Sequence, residues 1–557
     1  MALTGTPIII LREGADQKRG RSAQRNNIMA AKAVANAVAS TLGPRGRDKL
    51  LVDSLGDVLI TNDGATVLDE LDVQHPAAKM LVQVSKVVDE QTGDGTTSAV
   101  ILAGELLSKA DDLLEKKIHP TVIVESYKKA TDKAIEILNE IAQKDVTDDD
   151  LLKIAITAMN SKAVAGQRKQ LAEMVVDAVK AIYEEGKGGK PGIADLERIN
   201  IIQKQGKSLS DTELIKGVVI DKEVVHSRMP KKAEGAKIAL LNLALENKKT
   251  EFSAKIHIDD ASLMDSFLDQ EEAIIREMVD QIVATGANVV FSQKGIDDLA
   301  QHFLAKNGIL AARRVKKSDM ERMSRATGAK IVTTLEDISA DDLGTAGSVD
   351  EQKIADEKLI FVRDAPHPKS VALIIRGANK YFTDEAERAI HDALCVVRDT
   401  IEDGTYVAGG GASEIYLSKK INEFAKTFAG REQLAVKAFA EALEAVPKTL
   451  AENAGLNAMD VLLELRASTA PTTGMNILVQ SDQVTDTLEA GIVEPLRVKK
   501  QIIRSASEAA ELILRIDDVI IGKESPGGPP GGGPPGMGGG PPGMGGMGGM
   551  GGMPGMM

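Results

Sequence analysis

The sequence QTGDGTTSAVILAGELL, residues 91–107, joins a glycine-rich turn to an apolar helical segment. Gly93 and Gly95 can adopt backbone angles that other residues avoid, and Thr96 or Thr97 can cap the first turn of the helix. The apolar residues that follow lie at helical spacing on one side. The start of such a helix presents unpaired N–H groups and the positive end of the helix dipole, which favour an anion. The stretch therefore predicts a loop-to-helix junction suited to a phosphate group.

Asp94 lies between the two glycines of this junction. An acidic side chain beside a bound phosphate is unfavourable unless a cation bridges the two, so Asp94 indicates Mg²⁺ bound together with a nucleotide. The alternative is a Gly-Asp-Gly turn that leads into a buried helix. Spacing alone favours this alternative, because short glycine motifs are weak evidence.

The composition excludes several classes of protein. The chain has 557 residues, enough for about three or four domains, and its net charge of −14 argues against a nucleic-acid-binding surface. The basic cluster RRVKK at 313–317 is interpreted as a solvated helix face. The single cysteine, Cys395, excludes an intramolecular disulfide and suits a reducing cytoplasm. The sequence shows no signal-peptide pattern and no stretch near the roughly 20 apolar residues of a membrane helix, so we expect a cytoplasmic protein without a membrane partner.

The pattern of apolar residues changes along the chain. Residues 22–42 predict a helix that ends at Gly43-Pro44, and a β-hairpin follows it. From about residue 195, β-branched runs alternate with helical segments, which is typical of an α/β unit. Helical patterns return after VALIIRG at 371–377. Beyond residue 522 the sequence is almost entirely Gly, Pro and Met, which predicts a flexible tail; contacts of its methionines with apolar surfaces are the alternative.

The two commonest nucleotide fingerprints, GxxxxGK[ST] and a complete GxGxxG, are absent from the sequence. Support for a nucleotide comes instead from a set of motifs that occur in a fixed order: TLGPRG (41–46), TNDGAT (61–66), GDGTTS (93–98), MNSK (159–162), HDAL (391–394), AGGGAS (408–413) and GIVEP (491–495). This set closely resembles the chaperonins, the Hsp60/TCP-1 family. MNSK and the Gly/Met tail are similar to the archaeal group II type, the thermosome. The similarity covers residues 1 to about 525.

The resemblance implies a multidomain fold that combines α+β and α/β parts. It implies a mostly helical equatorial ATP domain built from both chain ends, a small intermediate hinge, and an α/β apical domain with a helical protrusion that acts as a lid. The implied divisions are 1–148 equatorial, 149–216 intermediate, 217–369 apical with the protrusion at about 245–280, 370–404 intermediate, 405–524 equatorial and 525–557 a disordered tail. If residues 43–98 and 410–494 share one nucleotide, the middle of the chain must be an insertion.

The resemblance also implies a function. The chain would be an ATPase and molecular chaperone that captures nonnative proteins and encloses them in a ring cavity, with closure driven by ATP and Mg²⁺. Its partners would be client proteins and like or closely related subunits in two stacked rings. The strand-like segments PIIIL and DDVII and the hairpin at 49–62 are candidates for sheet pairing within and between subunits. A small-molecule ATP enzyme and an ATP-binding scaffold without turnover are the alternatives.

Two aspartates are catalytic candidates through the resemblance. Asp63 would lie near the metal and the attacking water, although Asn-Asp-Gly is in isolation a common turn. Asp392, in HDAL, would position or activate the hydrolytic water. Helical spacing alone places Asp392 and Asp399 opposite the apolar stripe, so the alternative is a solvated acid paired with Arg388.

The nucleotide contacts implied by the resemblance lie in six segments. Lys162 would contact the γ-phosphate, with an exposed helix lysine as the alternative, and Asp94 would bind the metal. Asn457 and Glu494 would contact the adenine and the ribose, respectively. The full set is Thr41, Leu42, Gly43, Pro44, Gly93, Asp94, Gly95, Thr96, Thr97, Ser98, Asn160, Ser161, Lys162, Gly409, Gly410, Gly411, Asn457, Ala458 and Glu494.

The stretch from Glu246 to Val279 matches the region that forms the helical protrusion in group II chaperonins. Four apolar residues at its tip are predicted to contact clients or neighbouring lids when the lid is open: Leu263, Met264, Phe267 and Leu268. Ordinary core packing is the alternative explanation of this apolar stripe.

Overall fold

The computed structural model describes residues 16–52, 56–160, 164, 166–186, 192–247, 261–354, 357–366, 370–479 and 483–521. Several predictions concern residues outside this set. They are the strand-like segment PIIIL, the nucleotide contacts Ser161 and Lys162, the start of the protrusion and the Gly/Met tail. The side chains of the four predicted client contacts also lie outside the description.

The N-terminal third is mainly helical. The predicted helix at 22–42 is present as Arg21–Ala39, and the predicted hairpin follows it. Two later helices begin at a His-Pro pair, in which the histidine side chain accepts a backbone N–H and the proline occupies the first helical turn. The elements are β1 (Asp16–Arg19), α1 (Arg21–Ala39), β2 (Lys49–Val52), β3 (Val58–Thr61), α2 (Gly64–Glu70), α3 (Pro76–Thr92), α4 (Thr96–Glu115), α5 (Pro120–Ile141), β4 (Gln143–Lys144), α6 (Asp148–Met159), α7 (Arg168–Ile182), β5 (Tyr183–Glu184) and β6 (Ile193–Ala194).

The middle of the chain forms a mixed sheet with helices, as the alternating pattern predicts. The elements of the middle of the chain are β7 (Ile199–Gln205), β8 (Glu213–Lys216), β9 (Val218–Ile220), β10 (Lys232–Leu241), α8 (Ala261–Ala284), β11 (Val289–Ser292), α9 (Asp298–Lys306), β12 (Leu310–Ala312), α10 (Lys317–Thr327), β13 (Ile331–Val332), β14 (Gly344–Ile354) and β15 (Glu357–Arg363). The strand order in the mixed sheet is β12-β11-β10-β14-β15-β9, and β13 also pairs with β10. Strands β10, β11 and β12 are parallel, and the helices α8 and α9 connect them. The four basic residues of RRVKK are exposed, but residues 313–316 form the turn between β12 and α10, and only Lys317 belongs to the helix.

The C-terminal third is again mainly helical. Its elements are β16 (Val371–Gly377), α11 (Lys380–Asp403), β17 (Thr405–Ala408), α12 (Ala412–Ala425), α13 (Arg431–Leu443), α14 (Ala445–Asn453), α15 (Ala458–Ala467), β18 (Thr473–Met475), β19 (Val484–Asp486), β20 (Val493–Pro495), α16 (Leu496–Arg515) and β21 (Asp518–Ile521). The two ends of the described chain meet, because β1 and β21 pair antiparallel.

The chain leaves one hydrophobic core and later returns to it. The largest core combines residues from 28–209 with residues from 371–514. A separate core contains only residues between 218 and 365. Strand β7, before the second core, pairs in parallel with β16, after it. The middle of the chain is therefore inserted between two segments that fold together.

Helix α11 is buried on more than its apolar stripe. It contacts α3, α6, α7 and α16 as well as the strands β7, β16 and β20. Asp392 and Asp399, which helical spacing places on a solvated face, are 7% and 0% exposed. Asp399 pairs with Arg398 and Arg497. The solvated alternative is thus wrong, because neighbouring helices cover the face that periodicity leaves polar.

Among the described residues, no helix is both long enough and apolar enough to span a bilayer.

Candidate functional site

One cavity in the described part of the chain is lined by segments from both chain ends. The turn that follows α1, the turn between α3 and α4, and the end of α6 form one part of its wall. Helix α11, the glycine loop before α12 and the segments around β18 and β20 form the rest. Of the residues predicted from the sequence, those that line the cavity are Thr41, Leu42, Gly43, Pro44, Asp63, Asp94, Gly95, Thr96, Thr97, Ser98, Asn160, Asp392, Gly410, Gly411 and Glu494.

Four predicted residues lie outside the cavity wall. Gly93 and Gly409 are directly behind it, where Gly93 faces Cys395 and Gly409 faces the carboxylate of Glu494. Asn457 and Ala458, which were expected at the adenine, are at the start of α15. The exposed Asn457 caps this helix, because its Oδ1 accepts the Met459 N–H at 3.1 Å.

The junction between α3 and α4 has the geometry that suits an anion. Gly95 begins α4 with φ of 87°, and an added Cβ there would lie 2.7 Å from Ile502 Cδ1. Thr96 and Thr97 do not cap the helix as expected, since they already belong to its first turn and α4 shows no side-chain cap within the described residues. The first N–H groups of α4 are therefore left for another acceptor at the cavity wall.

Asp94 is held in a fixed orientation within this junction. Its Oδ1 accepts the Gly95 N–H at 2.6 Å, and its backbone carbonyl accepts the Thr92 hydroxyl at 3.0 Å. Among the described residues, no group of three or more His, Cys, Asp or Glu side chains is placed to hold a metal ion by itself. Mg²⁺ commonly uses one or two carboxylates and completes its shell with substrate phosphates and water. A single aspartate at this position fits that requirement.

The glycine loop before α12 brings the C-terminal half of the chain to the same cavity. Gly410 has φ of 62°, and an added Cβ would lie 2.5 Å from the Met475 carbonyl oxygen. The Met475 N–H donates to the Gly410 carbonyl at 2.8 Å, which fixes the loop against β18. Only glycine meets both requirements at low cost, so the backbone itself forms this part of the wall.

The two catalytic candidates reach the cavity from different elements. Asp63 caps α2, where its Oδ2 accepts the Thr66 N–H at 2.8 Å and the Thr66 hydroxyl at 2.6 Å. Asp392 projects from α11 and is mostly buried. Arg388, its expected partner in the solvated alternative, pairs with Glu385 at 2.8 Å.

Several cavity residues were missed in the sequence because tertiary contacts alone bring them there. Leu450, Ile477 and Leu478 form an apolar part of the wall. Asn453, one turn after Leu450, donates to the carbonyls of Ala39 and Leu42 at 2.9 and 2.8 Å, and so fixes the TLGPRG turn against α14. Lys499 in α16 was also missed, since a lysine in an amphipathic helix gives no local signal.

Cys395 lies behind the cavity wall, and the reactivity of its thiol can be used to test its burial. It is the only cysteine in the chain, it lies against Gly93, and burial raises the pKa of its thiol to about 12. Since the thiolate is the reactive form, we expect labelling of the native protein by Ellman's reagent at pH 8 to be at least about 100-fold slower than labelling in guanidinium. Labelling at similar rates in both states would contradict the burial of this thiol.

Comparison with known proteins agrees with the motif analysis. The sequence model of the TCP-1/cpn60 chaperonin family matches residues 34–524. The thermosome subunit beta of Methanothermobacter thermautotrophicus is 56% identical over 525 residues, which cover 94% of this chain and 96% of that protein. The thermosome subunit of Pyrococcus abyssi is 55% identical, with 94% and 95% covered, and that of Methanocaldococcus jannaschii is 52% identical, with 97% and 99% covered. The chain therefore belongs to the TCP-1/cpn60 chaperonin family.

Proposed function

We propose that this chain is a subunit of an ATP-dependent chaperonin that captures nonnative proteins and encloses them in a ring cavity with a built-in lid. One observation carries the proposal beyond family membership. Asp94, at the start of α4, and Gly410, more than three hundred residues later, line the same cavity together with Asp392. A phosphate-binding helix start, a bare glycine loop and a buried carboxylate are the parts that ATP binding and hydrolysis require.

The cavity offers a distinct environment to each part of ATP. The N–H groups at the start of α4 would bind the phosphates, and Asp94 would hold Mg²⁺, which neutralises phosphate charge when bound. The apolar wall of Leu450, Ile477 and Leu478 suits the adenine, and Glu494 suits a ribose hydroxyl. Asp392 would orient or deprotonate the attacking water, with Asp63 beside it, and Lys162 would contact the γ-phosphate.

The separate core of residues 218–365 supports a distinct apical domain, whereas the proposed equatorial and intermediate segments share the largest core. Residues 217–369 would form the apical domain, 149–216 and 370–404 the intermediate hinge, and 1–148 and 405–524 the equatorial domain. Helix α11 runs from β16, beside the apical core, to the cavity that holds Asp392. A rotation of this helix would therefore change the position of Asp392 relative to the nucleotide and move the apical domain at the same time.

The chain also presents a surface suited to ring assembly. The hairpin β2–β3 exposes apolar side chains, and Leu50 and Val52 are 63% and 60% exposed. Among the described residues no third strand pairs with this hairpin, and an exposed apolar hairpin of this kind is a site for pairing with another chain. We propose a second subunit as its partner, in two stacked rings.

Electron microscopy combined with an ATPase assay tests this function. We expect double rings and Mg²⁺-dependent ATP hydrolysis without any added small substrate. We also expect ATP-dependent recovery of a denatured client enzyme. A small oligomer that hydrolyses ATP only in the presence of a phosphoryl acceptor would instead indicate a kinase and would overturn the proposal.

A variant of the protrusion separates client binding from ATP turnover. Replacement of Leu263, Met264, Phe267 and Leu268 by serine removes the apolar surface proposed to bind clients. We expect this variant to assemble and hydrolyse ATP normally, and to lose most of the client recovery in the refolding assay. A serine replacement of the exposed Leu299 in α9 is the control. Unchanged client recovery by the protrusion variant would contradict the assignment.

A further inference from the structure

A group of two carboxylates and one ammonium lies at the wall of the cavity. Lys499 Nζ is 2.7 Å from Glu414 Oε1 and 2.8 Å from Glu494 Oε2. The three side chains come from three elements: Glu414 from α12, Glu494 from β20 and Lys499 from α16. We call them the Glu-Lys-Glu triad.

The members of the triad differ in their access to the cavity. The side chains of Glu414 and Lys499 are each 5% exposed, whereas that of Glu494 is 23% exposed. Glu494 and Lys499 line the cavity, and Glu414 lies behind them. Glu494 is thus the carboxylate that a bound molecule can reach, and Lys499 holds it from the protein side.

The electrostatics explain why Glu494 needs this support. Burial raises the pKa of Glu494 above its ordinary range, the Lys499 ammonium opposes the rise, and the charges of Glu414 and Asp94 add to it. Burial alone would lower the pKa of Lys499, but the two carboxylates raise it, so the ammonium stays charged. Without Lys499, the nearby charges of Glu414 and Asp94 would repel the Glu494 carboxylate, which would move away or take up a proton.

The backbone around Glu494 also restricts its position. Glu494 is paired with Val407 in the antiparallel ladder between β17 and β20. An added Cβ at Gly409 would lie 2.7 Å from Glu494 Oε1, so the glycine loop closes against this carboxylate. The carboxylate is therefore confined between the loop, the ammonium and the cavity.

We propose that Lys499 is a positioning residue that holds the Glu494 carboxylate at the cavity wall, where it accepts a hydrogen bond from a ribose hydroxyl and thereby selects ribonucleotides. This inference rests on the proposed ATP function. Because Lys499 acts through Glu494, its loss affects the recognition of the sugar rather than the hydrolytic step. The measurable consequence is a change in KM for nucleotides that differ in their ribose hydroxyls, with little change in kcat.

The experiment compares the steady-state kinetics of the full chain with ATP, 2′-deoxy-ATP and 3′-deoxy-ATP. For the natural protein we expect KM for at least one deoxynucleotide to exceed that for ATP by about tenfold or more, as a hydrogen bond to a charged group predicts, with similar kcat. In the double variant Lys499→Met, Glu414→Gln, which keeps the net charge of the triad, we expect this ratio to fall below about threefold.

Three further variants control the interpretation. Lys499→Met alone leaves two facing carboxylates and tests whether the double variant is needed for folding. Lys499→Arg keeps the cation and should retain the KM ratio to within about twofold. Lys500→Met removes a neighbouring lysine that is not at the cavity and should change nothing.

The outcomes separate this inference from the proposed function. A natural protein that hydrolyses ATP but accepts both deoxynucleotides with the same KM overturns the role of the triad, as does a double variant that keeps the full KM ratio. A natural protein that does not hydrolyse any of the three nucleotides overturns the proposed function itself.

Discussion

Replacement of Asp392 by alanine is expected to reduce ATP hydrolysis by at least about 100-fold while ATP remains bound, because a positioned general base typically contributes this much or more. The side chain is 7% exposed and lines the cavity, so its loss removes a carboxylate that solvent does not replace. Single-turnover hydrolysis measures the rate, and equilibrium binding of a fluorescent ATP analogue measures the affinity. We expect the binding constant to change by less than about fivefold, since the proposed role of Asp392 is to act on the water rather than on the nucleotide.

Two further variants define what the Asp392 result means. Asp392→Asn keeps the shape of the side chain and removes its charge and basicity, so we expect it to be nearly as slow as the alanine variant. Asp384→Ala, about two turns earlier in α11 and outside the cavity wall, should hydrolyse ATP at the normal rate. Unchanged turnover and ring closure in Asp392→Ala would contradict the catalytic role of Asp392. A scaffold that binds ATP without turnover would instead show no hydrolysis in the natural protein or in the variant.

The sequence predicted those parts of the site that depend on local backbone. A turn such as Gly93-Asp94-Gly95 carries its own signal, because φ above zero and a helix start require particular residues at fixed spacing. Some strands of the middle sheet, such as β10 and β11, were predicted for a related reason. The run at Val289–Ser292 is buried on both faces, and three of its four residues are β-branched or aromatic.

The predictions that were wrong concern residues whose burial is set by the neighbouring elements. Periodicity placed Asp392 and Asp399 on a polar face of α11, yet the helices around α11 bury that face. Nothing in the sequence of a single helix reports such neighbours. The motif resemblance predicted Asp392 at the nucleotide site, whereas periodicity predicted it in solvent, and the side chain lies at the cavity wall.

The part of the cavity wall that we propose for the adenine illustrates the same limit. Asn457 and Ala458 were expected there, but Asn457 is used as a helix cap and the apolar wall is formed by Leu450, Ile477 and Leu478. These apolar residues resemble any other core residues in the sequence. Lys499 was missed for the same reason, because its ion-pair partner Glu414 lies 85 residues away in the chain.

Replacement of Asp94 by asparagine is expected to abolish the stimulation of ATP hydrolysis by Mg²⁺. Asparagine can keep the acceptor that binds the Gly95 N–H, so the turn between α3 and α4 should be preserved while the charge is lost. A metal ion stabilises the transferring phosphoryl group by several kcal/mol, and about 1.4 kcal/mol corresponds to a factor of ten, so we expect hydrolysis to fall by at least about 100-fold.

Thermal unfolding distinguishes loss of the metal from loss of the fold in this variant. Without nucleotide, Asp94→Asn and the natural protein should unfold within about 2 °C of each other, as a shift of a few tenths of a kcal/mol predicts. With ATP, added Mg²⁺ should raise the melting temperature of the natural protein further, because tighter binding stabilises the native state, and it should have no such effect on the variant. Glu90→Gln, an exposed carboxylate in α3 outside the cavity wall, should behave as the natural protein. If Mg²⁺ stabilised the Asp94→Asn variant fully, a different group would hold the metal, and the bridging role of Asp94 between helix start and phosphate would have to be given up.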